Sequence, residues 1–191
     1  AVQCYEAVKR YDPHNVDAVR HMAQLYRKLE DHGSLARMLS EIINLSKDPA
    51  VLAPTYAEMG DLARTVLGIP EDAHVYYRNA LDYDPKNLRA ILALEEIHRE
   101  NASWGEYLEI LQMKAAAIED EAQLRKTKLQ IAETYEDRLD DAAAAIALYK
   151  EVLESDPANL AAMKGLERLY AASERYVELR EVLERQLDVV E

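Results

Sequence analysis

The chain has 191 residues, of which 49% are hydrophobic and 31% are charged, a balance that predicts a folded core and excludes a disordered segment. Its net charge of −13 argues against a nucleic acid partner, because affinity for nucleic acid depends on cationic contacts with phosphate. Cys4 is the only cysteine, which excludes an internal disulfide, and no apolar run reaches the about 18 residues of a membrane span. We therefore expect no membrane span and a cytoplasmic location.

One segment recurs at equal intervals along the chain, at 5–15, 77–87 and 149–159, and we call the interval between successive copies the long period. Each copy begins with tyrosine and ends with Asp-Pro, a variable residue and Asn. Proline ends a helix because it lacks a backbone donor and disfavours helix in the residue before it. The asparagine that follows suits the N-cap of another helix. A long fixed period indicates a repeat architecture, here built from helix, tight turn and helix.

In chain order, every predicted element is a helix. Residues 1–11 are predicted to be the second helix of a pair that lacks its first helix, which indicates an excised segment or a larger parent chain. The open end predicts self-association, because solenoids normally need capping repeats. Five helix pairs are predicted to follow, joined by turns of two to four residues, at 15–47, 48–82, 87–119, 120–154 and 159–190.

Turn residues place the boundaries in the first two pairs. Gly33 and Ser34 are predicted to separate the first helix from the second. Asp48 then supplies an N-cap and Pro49 a first helical residue.

Three further positions carry boundary predictions. Pro54 is expected to delay the true start of its helix to about Thr55, and Gly68 is expected to close that helix. Ser103 and Glu106 have the spacing of a capping box.

The two strict helix pairs resemble the tetratricopeptide pattern of Leu-Gly, Tyr, Ala, aromatic and Pro, and half of the long period is close to the tetratricopeptide period of about 34 residues. In the alternate pairs Glu167 replaces the small glycine of that pattern. The residues that carry the resemblance are Gly60, Ala73, Tyr77, Ala80 and Pro85, and then Ile131, Ala132, Tyr135, Ala145, Tyr149 and Pro157.

The chain is similar to long bacterial tetratricopeptide arrays with alternating strict and degenerate units. The resemblance covers the whole chain and implies an all-α, antiparallel helix-pair solenoid, wound into a right-handed superhelix of about eleven helices. We therefore expect a single solenoid segment over residues 1–191.

No pattern in the sequence predicts an enzyme. The histidines lack metal-ligand spacing, the paired carboxylates fall at predicted helix ends and solvated faces, and no phosphate-binding or nucleophile motif is present. We therefore expect no metal and no cofactor. The five histidines are His14, His21, His32, His74 and His98.

Trp104 and His98 occupy positions at which the repeat has aromatic residues elsewhere. Trp104 lies just inside a predicted helix start, where core packing is the default and a binding hot spot is the alternative. His98 stands where other units have Tyr26 and Tyr170, which predicts a packing role.

In the family that the chain resembles, the first helix of each unit lines a concave groove. That mapping predicts partner-binding positions whose arginines suit a partner with acidic groups. In the alternative, these charges pair along their own helices, as Asp61 and Arg64 could. Glu58 disfavours a clamp for a C-terminal carboxylate. The predicted positions are Arg20, Gln24, Arg27, Arg64, Arg89 and Arg99.

The sequence thus predicts a non-enzymatic protein–protein interaction scaffold that binds a partner segment on its concave helix face. The alternative is a regulatory or self-assembly segment of a larger multidomain protein. An enzyme is a third and weaker interpretation, since fold alone does not supply function.

Overall fold

A computed structural model describes residues 2–190, including the side chains of residues 4–8 and 10–189. Over this range the chain forms eleven α-helices and one π-helical segment, Ala63–Leu67, and no strand. The predicted all-α, helix-pair solenoid fold is confirmed. The helices are α1 (Val2–Tyr11), α2 (Val16–Lys28), α3 (His32–Leu45), α4 (Pro49–Leu62), α5 (Pro70–Tyr83), α6 (Leu88–Glu100), α7 (Trp104–Ala117), α8 (Glu121–Asp137), α9 (Ala142–Ser155), α10 (Leu160–Ala172) and α11 (Tyr176–Val190).

The repeated asparagines cap the helices that follow them. Asn15, Asn87 and Asn159 each accept a hydrogen bond from the backbone N–H three residues on, at 2.8, 3.1 and 3.0 Å. Such a bond satisfies one of the donors that a helix start leaves without an intrahelical partner. The capping that the repeated segment predicts is confirmed at all three positions.

The predicted delay of α4 at Pro54 is wrong. The helix begins at Pro49, and Asp48 caps it by accepting the N–H of Ala50 at 3.0 Å. The helix continues through Pro54, and Thr55 donates its hydroxyl to the Val51 carbonyl at 2.6 Å. Proline costs one intrahelical bond there, and the cap together with the apolar burial of the first turns outweighs that loss.

The predicted break at Gly33 and Ser34 is also wrong, since both residues lie in the first turn of α3. Asp31 caps this helix by accepting the N–H of Ser34 at 3.0 Å. The chain reverses one residue earlier, at Glu30, whose φ of 56° is left-handed. A left-handed glutamate carries no sequence signal, because glycine is the residue that favours this conformation.

This left-handed turn repeats with the long period of the sequence. Glu30, Ala102 and Glu174 occupy equivalent positions in successive copies, and their φ angles are 56°, 54° and 57°. The second of these turns leads to Ser103, which is the N-cap of α7 but makes no capping bond through its side chain. The predicted capping box with Glu106 is therefore wrong, and the backbone N–H of Ser103, which the Glu106 side chain would accept in such a box, bonds instead to the His98 carbonyl at 2.9 Å.

Gly68 closes the helix that precedes it, as predicted. Its φ is 65°, and its N–H bonds to the carbonyl of Ala63 across the π-helical segment. The π-helical segment extends α4 to Leu67, and only Gly68 and Ile69 separate it from α5.

The helices form two compact units, Ala1–Ile97 and His98–Glu191. In the first unit α2 packs on α3, and α4 packs on both α3 and α5. In the second unit α8 packs on α7 and α9, and α10 packs on α9 and α11. A core cluster surrounds Leu39 and Met59 in the first unit, and the second unit has one cluster around Tyr149 and Leu166 and another around Leu111.

Two buried tyrosines pack directly on glycines of neighbouring helices. A Cβ added to Gly60 would lie 2.6 Å from the Tyr77 ring, and one added to Gly165 would lie closer still to the Tyr149 ring. Both rings are only 1% exposed, so they cannot swing away. The sequence analysis named Gly60 as a residue of the repeat pattern and did not identify Gly165. These contacts direct each tyrosine hydroxyl toward the carboxylates described next.

Candidate partner-binding face

The first helices of the helix pairs are α2, α4, α6, α8 and α10, and within each unit ion pairs join α2 to α4, α4 to α6, and α8 to α10. In the first unit Asp61 on α4 accepts hydrogen bonds from the Tyr77 hydroxyl and from Arg89 Nε, both at 2.5 Å. Asp61 thus joins the buried tyrosine of its own helix pair to an arginine on the first helix of the next pair.

In the second unit Glu136 likewise joins a buried tyrosine to an arginine on the next first helix. Its carboxylate accepts the Tyr149 hydroxyl at 2.8 Å and two bonds from Arg168, at 2.8 and 2.9 Å. The two parallel bonds from the guanidinium form the bidentate geometry that fixes both side chains.

These contacts change the pKa values of the groups involved. Burial and the hydrogen bond to Asp61 raise the pKa of Tyr77, and burial and the bond to Glu136 raise the pKa of Tyr149. Burial acts to raise the pKa of Glu136, but hydrogen bonds from Arg168 and Tyr149 outweigh it and leave that pKa lowered. The bond to Glu136 also raises the pKa of Arg168. All four side chains therefore hold their ordinary ionisation states around neutral pH.

Two more ion pairs of the first unit join α2 to α4 and the π-helical segment to α6. Arg27 donates two hydrogen bonds to Glu58, both at 2.6 Å, and Arg64 donates to Glu96 at 2.7 Å. The Glu58 side chain is 15% exposed, so its charge is largely withdrawn from solvent, and the bond to Glu58 raises the pKa of Arg27. Among the predicted binding arginines, Arg20 shows the pairing along a helix that the sequence offered as the alternative, with Asp17 at 3.5 Å.

The same contact occurs in both units with its charges exchanged. Arg64 pairs with Glu96 in the first unit, and Glu136 pairs with Arg168 in the second. Each member of the second pair lies one long period after its counterpart in the first. The position of this ion pair thus recurs with the repeat, whereas the choice of which helix carries the arginine and which the glutamate does not recur.

Four of the six predicted binding residues line one cleft in the first unit, which we call the unit-1 cleft. They are the three basic residues Arg20, Arg27 and Arg89, together with Gln24. The cleft has a volume of about 340 Å³, and Glu58 is the only acidic residue that lines it. The remaining lining residues are Ala23, Leu39, Ile42, Pro54 and Thr55.

The side chains of the unit-1 cleft differ in how firmly they are held. Arg27 and Arg89 are about half exposed, at 48% and 52%, and each is anchored by a carboxylate on a neighbouring helix. Arg20 has only a long contact with Asp17, which is 80% exposed, and such a surface pair contributes little. Gln24 is exposed at the cleft edge. The cleft thus presents two anchored guanidinium groups beside two adaptable polar side chains.

The two other predicted residues lie elsewhere. Arg64 is outside the lining of the unit-1 cleft, and its side chain is 24% exposed where it donates to Glu96. Arg99 belongs to the second unit, where it lines a cleft of about 230 Å³ that we call the unit-2 cleft.

Trp104 forms part of the unit-2 cleft and is only partly buried. The Arg138 guanidinium lies 4.7 Å from the centroid of its ring, and the Tyr107 ring meets it edge-on at 5.8 Å. Trp104 therefore packs at the helix start, as its default interpretation predicted, and also presents surface to a cleft. The other lining residues are Gln130, Glu133, Thr134 and Asp137.

Glu133 is an acidic residue of this cleft whose charge is only partly compensated. Burial raises its pKa, and the nearby charge of Asp137 raises it further. The charge of Arg168 acts in the opposite direction but does not cancel these effects. The cleft therefore holds an acidic side, on α8, that gains from a cation.

The structure offers no support for metal chemistry or for a membrane span within its described range. No three His, Cys, Asp or Glu side chains among residues 2–190 group as metal ligands would. Over the same residues, no helix combines the length and apolar character needed to cross a bilayer. The predicted compartment stays a prediction.

No protein-family model matches the chain, and no curated protein matches it. Solved structures do match the chain in fold. MamA aligns with a TM-score of 0.53 at 15% identity, covering 91% of each chain. YrrB, described as a TPR protein with an unusual peptide-binding site, aligns with a TM-score of 0.53 at 18% identity, covering 99% of this chain and 93% of its own.

A third solved structure agrees with these two. The C-terminal part of a TPR repeat-containing protein from Cytophaga hutchinsonii aligns with a TM-score of 0.56 at 12% identity, covering 98% of this chain and 72% of that one. At such low identity the likeness shows the fold alone. The fold is of the tetratricopeptide type, as the sequence predicted.

Proposed function

We propose that this tetratricopeptide-type chain is a protein-interaction scaffold that binds a segment of a partner protein on the face of its first helices. The observation that carries the proposal is the unit-1 cleft, which gathers Arg20, Gln24, Arg27 and Arg89 in a chain whose net charge is −13. Arginine forms bidentate pairs with carboxylates, so the segment that suits this cleft carries an acidic group.

The anchored arginines give this cleft its binding mechanism. Glu58 and Asp61 fix the guanidinium groups of Arg27 and Arg89 before any partner arrives. An arginine has five N–H donors, and one carboxylate leaves some of them available. Binding then costs little ordering of these side chains, which favours affinity. Arg20 and Gln24 adapt to the segment that binds, while Arg64 supports the face through its pair with Glu96.

The comparison with YrrB supports this proposal, because that protein of similar fold is described as having a peptide-binding site. We extend peptide binding to this chain as part of the proposal. We assign the chain no catalytic role, since its clefts bring together charged groups suited to recognition.

A second candidate function is self-assembly, or regulation within a larger multidomain protein. The observation that favours it is a stripe of exposed apolar side chains on α11. Tyr176, Leu183 and Leu187 are 67%, 40% and 63% exposed and recur at the spacing of one helix face. If this stripe mediates assembly, light scattering will show a concentration-dependent mass that Leu183→Glu with Leu187→Glu abolishes.

Site-directed photo-crosslinking tests the scaffold proposal. A photoreactive residue replaces Gln24 in the unit-1 cleft, and a matched control replaces Asn44, which is exposed on the second helix α3. We expect the position of Gln24 to trap a discrete partner from extracts of the source cell, and the position of Asn44 to trap none. Equal trapping at both positions, or trapping at Asn44 alone, would place the partner on another surface.

A further inference from the structure

The long period relates the two clefts residue by residue. Arg27 and Glu58, which form the bidentate pair of the first unit, have Arg99 and Gln130 as their counterparts in the next copy of the repeat. Both counterparts line the unit-2 cleft. The arginine is thus retained, and its carboxylate is replaced by a neutral amide.

This replacement leaves Arg99 without the carboxylate that its counterpart holds. Arg99 is exposed and lines the cleft, and within the described part of the chain its guanidinium makes no hydrogen bond or ion pair. The Gln130 side chain can donate an N–H, which the Glu58 carboxylate cannot. Both residues are therefore able to donate to a carboxylate supplied from outside the chain.

The acidic side of the unit-2 cleft also lacks the arginine that its counterpart in the first unit binds. Glu133 is the counterpart of Asp61, and Ala161 stands where Arg89 binds Asp61 in the first unit. Glu133 and Asp137 line the cleft one helical turn apart, and like charges at this spacing repel each other.

We propose that the unit-2 cleft is a docking site for one glutamate side chain of a partner segment, held by Arg99 and Gln130 as Glu58 is held by Arg27. A cationic residue next to that glutamate faces Glu133 and Asp137. This inference rests on the proposed scaffold function and adds the chemistry of the partner at a second position.

Charge complementarity selects this occupant. A segment with several adjacent acids is repelled by Glu133 and Asp137, and a segment with cations alone is repelled by Arg99 and Arg138. A glutamate beside a lysine or arginine satisfies both sides of the cleft. The half-buried Trp104, whose ring lies against the Arg138 guanidinium, lines the same cleft and therefore senses its occupancy.

Trp104 is the only tryptophan in the chain, so its indole N–H resonance reports on this cleft alone. The probe is a single glutamate residue blocked at both ends, titrated to tens of millimolar against the ¹⁵N-labelled full chain. We expect a saturable shift of the indole resonance with blocked glutamate and none with blocked glutamine.

Two variants complete this titration. Arg99→Gln should weaken the binding of blocked glutamate about tenfold, because a hydrogen bond to a charged group is lost. Arg180→Gln is the control, since Arg180 lies on α11 with its side chain 71% exposed, and it should bind as the wild type does. An absent shift, an equal shift with blocked glutamine, or a loss in the control equal to that in Arg99→Gln would overturn the inference.

The variant Gln130→Glu tests the geometry of the proposed site. If Arg99 is placed as Arg27 is, the introduced carboxylate will pair with Arg99 as Glu58 pairs with Arg27. It should therefore block the shift with blocked glutamate. A full indole shift with blocked glutamate in this variant would contradict the inference. Either failure leaves the scaffold proposal standing, because that proposal depends on crosslinking at the unit-1 cleft.

Discussion

Two glutamates on one helix show how strongly a single neighbour decides the behaviour of a charge. Glu133 and Glu136 lie three residues apart on α8. Arg168 and Tyr149 bind Glu136 and lower its pKa, whereas burial and Asp137 raise the pKa of Glu133. The first carboxylate stabilises the folded chain when it is ionised, and the second destabilises it.

These opposite shifts predict opposite dependences on pH. The stabilisation from Glu136 is fully present above its unfolded pKa of about 4.3 and is lost as pH falls through its lowered folded pKa. Glu136→Gln should therefore reduce the melting temperature at pH 7, and the loss should shrink at pH 3.5.

Glu133→Gln is the matched variant. The cost of ionising Glu133 is fully present above its raised folded pKa and disappears below its unfolded value of about 4.3. Glu133→Gln should therefore raise the melting temperature at pH 7 and leave it unchanged at pH 3.5. If both variants move the melting temperature in the same direction at pH 7, the assignment of their environments is wrong.

At this scale the sequence predicted where arginines would stand but not what they bind. The family resemblance supplied six predicted binding positions, and in the structure four of them line one cleft. The carboxylate partners of Arg27, Arg64 and Arg89 lie 28 to 32 residues away, on other helices. Such pairs depend on how helices stack, and spacing along a single helix cannot show them.

At the scale of the helix, tight contacts decide which residues a position accepts. Gly165 on α10 lies against the Tyr149 ring, and Gly105 on α7 has no atom within 4 Å of an added Cβ. Alanine has a higher helix propensity than glycine by about 1 kcal/mol. The same substitution should therefore have opposite effects at the two sites.

Gly165→Ala should destabilise the chain, because overpacking costs about 1–3 kcal/mol and the hydrogen bond to Glu136 prevents the ring from moving. Gly105→Ala should be neutral or stabilising by up to about 1 kcal/mol. Urea denaturation measures both. A stabilising Gly165→Ala would show that α9 and α10 do not approach as closely as described.

The pair between Arg27 and Glu58 gives a second prediction for the helices. Arg27→Ala should destabilise the chain by about 1 kcal/mol, a small value because half of the arginine side chain is exposed. The exchange Arg27→Glu with Glu58→Arg should recover most of that loss, as the exchanged signs of the contact at Glu136 and Arg168 suggest. A double-mutant cycle with no coupling between the two positions would contradict the bidentate contact.

Helix existence could be predicted well from the sequence, and helix boundaries less well. The Asp-Pro and Asn signals located three helix starts, because capping is a local interaction. The left-handed turn at Glu30 could not be predicted, since tertiary packing rather than residue type imposes it. The delayed helix start predicted at Pro54 was wrong for a related reason, because burial of the surrounding residues outweighs the backbone hydrogen bond that proline removes.

At the scale of the molecule, the long period of the sequence appears in the caps, in the left-handed turns and in the position of an ion pair. Repeats of this kind are stabilised mainly by their nearest neighbours. A change in the core of one unit should therefore act locally. The single solenoid segment over residues 1–191 remains a prediction that such a measurement addresses.

Leu166→Ala tests this locality. Leu166 is 2% exposed in the core of the second unit, so its truncation should cost about 2–5 kcal/mol. Hydrogen exchange should lose protection first over residues 150–191 and should spare residues 15–60. A uniform loss along the chain would count against a solenoid with local stability.

The proposed binding role predicts which charges matter for affinity. Arg20→Glu with Gln24→Glu alters the unit-1 cleft without breaking an ion pair between helices. Arg37→Glu with Asn44→Glu is the control on α3, and it produces the same change in net charge. Any difference between the two variants therefore reports on location and not on total charge.

The most direct measurement is the affinity of each variant for the partner segment identified by crosslinking, titrated by calorimetry at constant salt. The account predicts that the cleft variant binds at least about tenfold more weakly than the wild type, because a favourable charge pair becomes a repulsive one. The control variant should bind within about twofold of the wild type. A control variant that loses as much affinity as the cleft variant, or more, would contradict binding at the first-helix face.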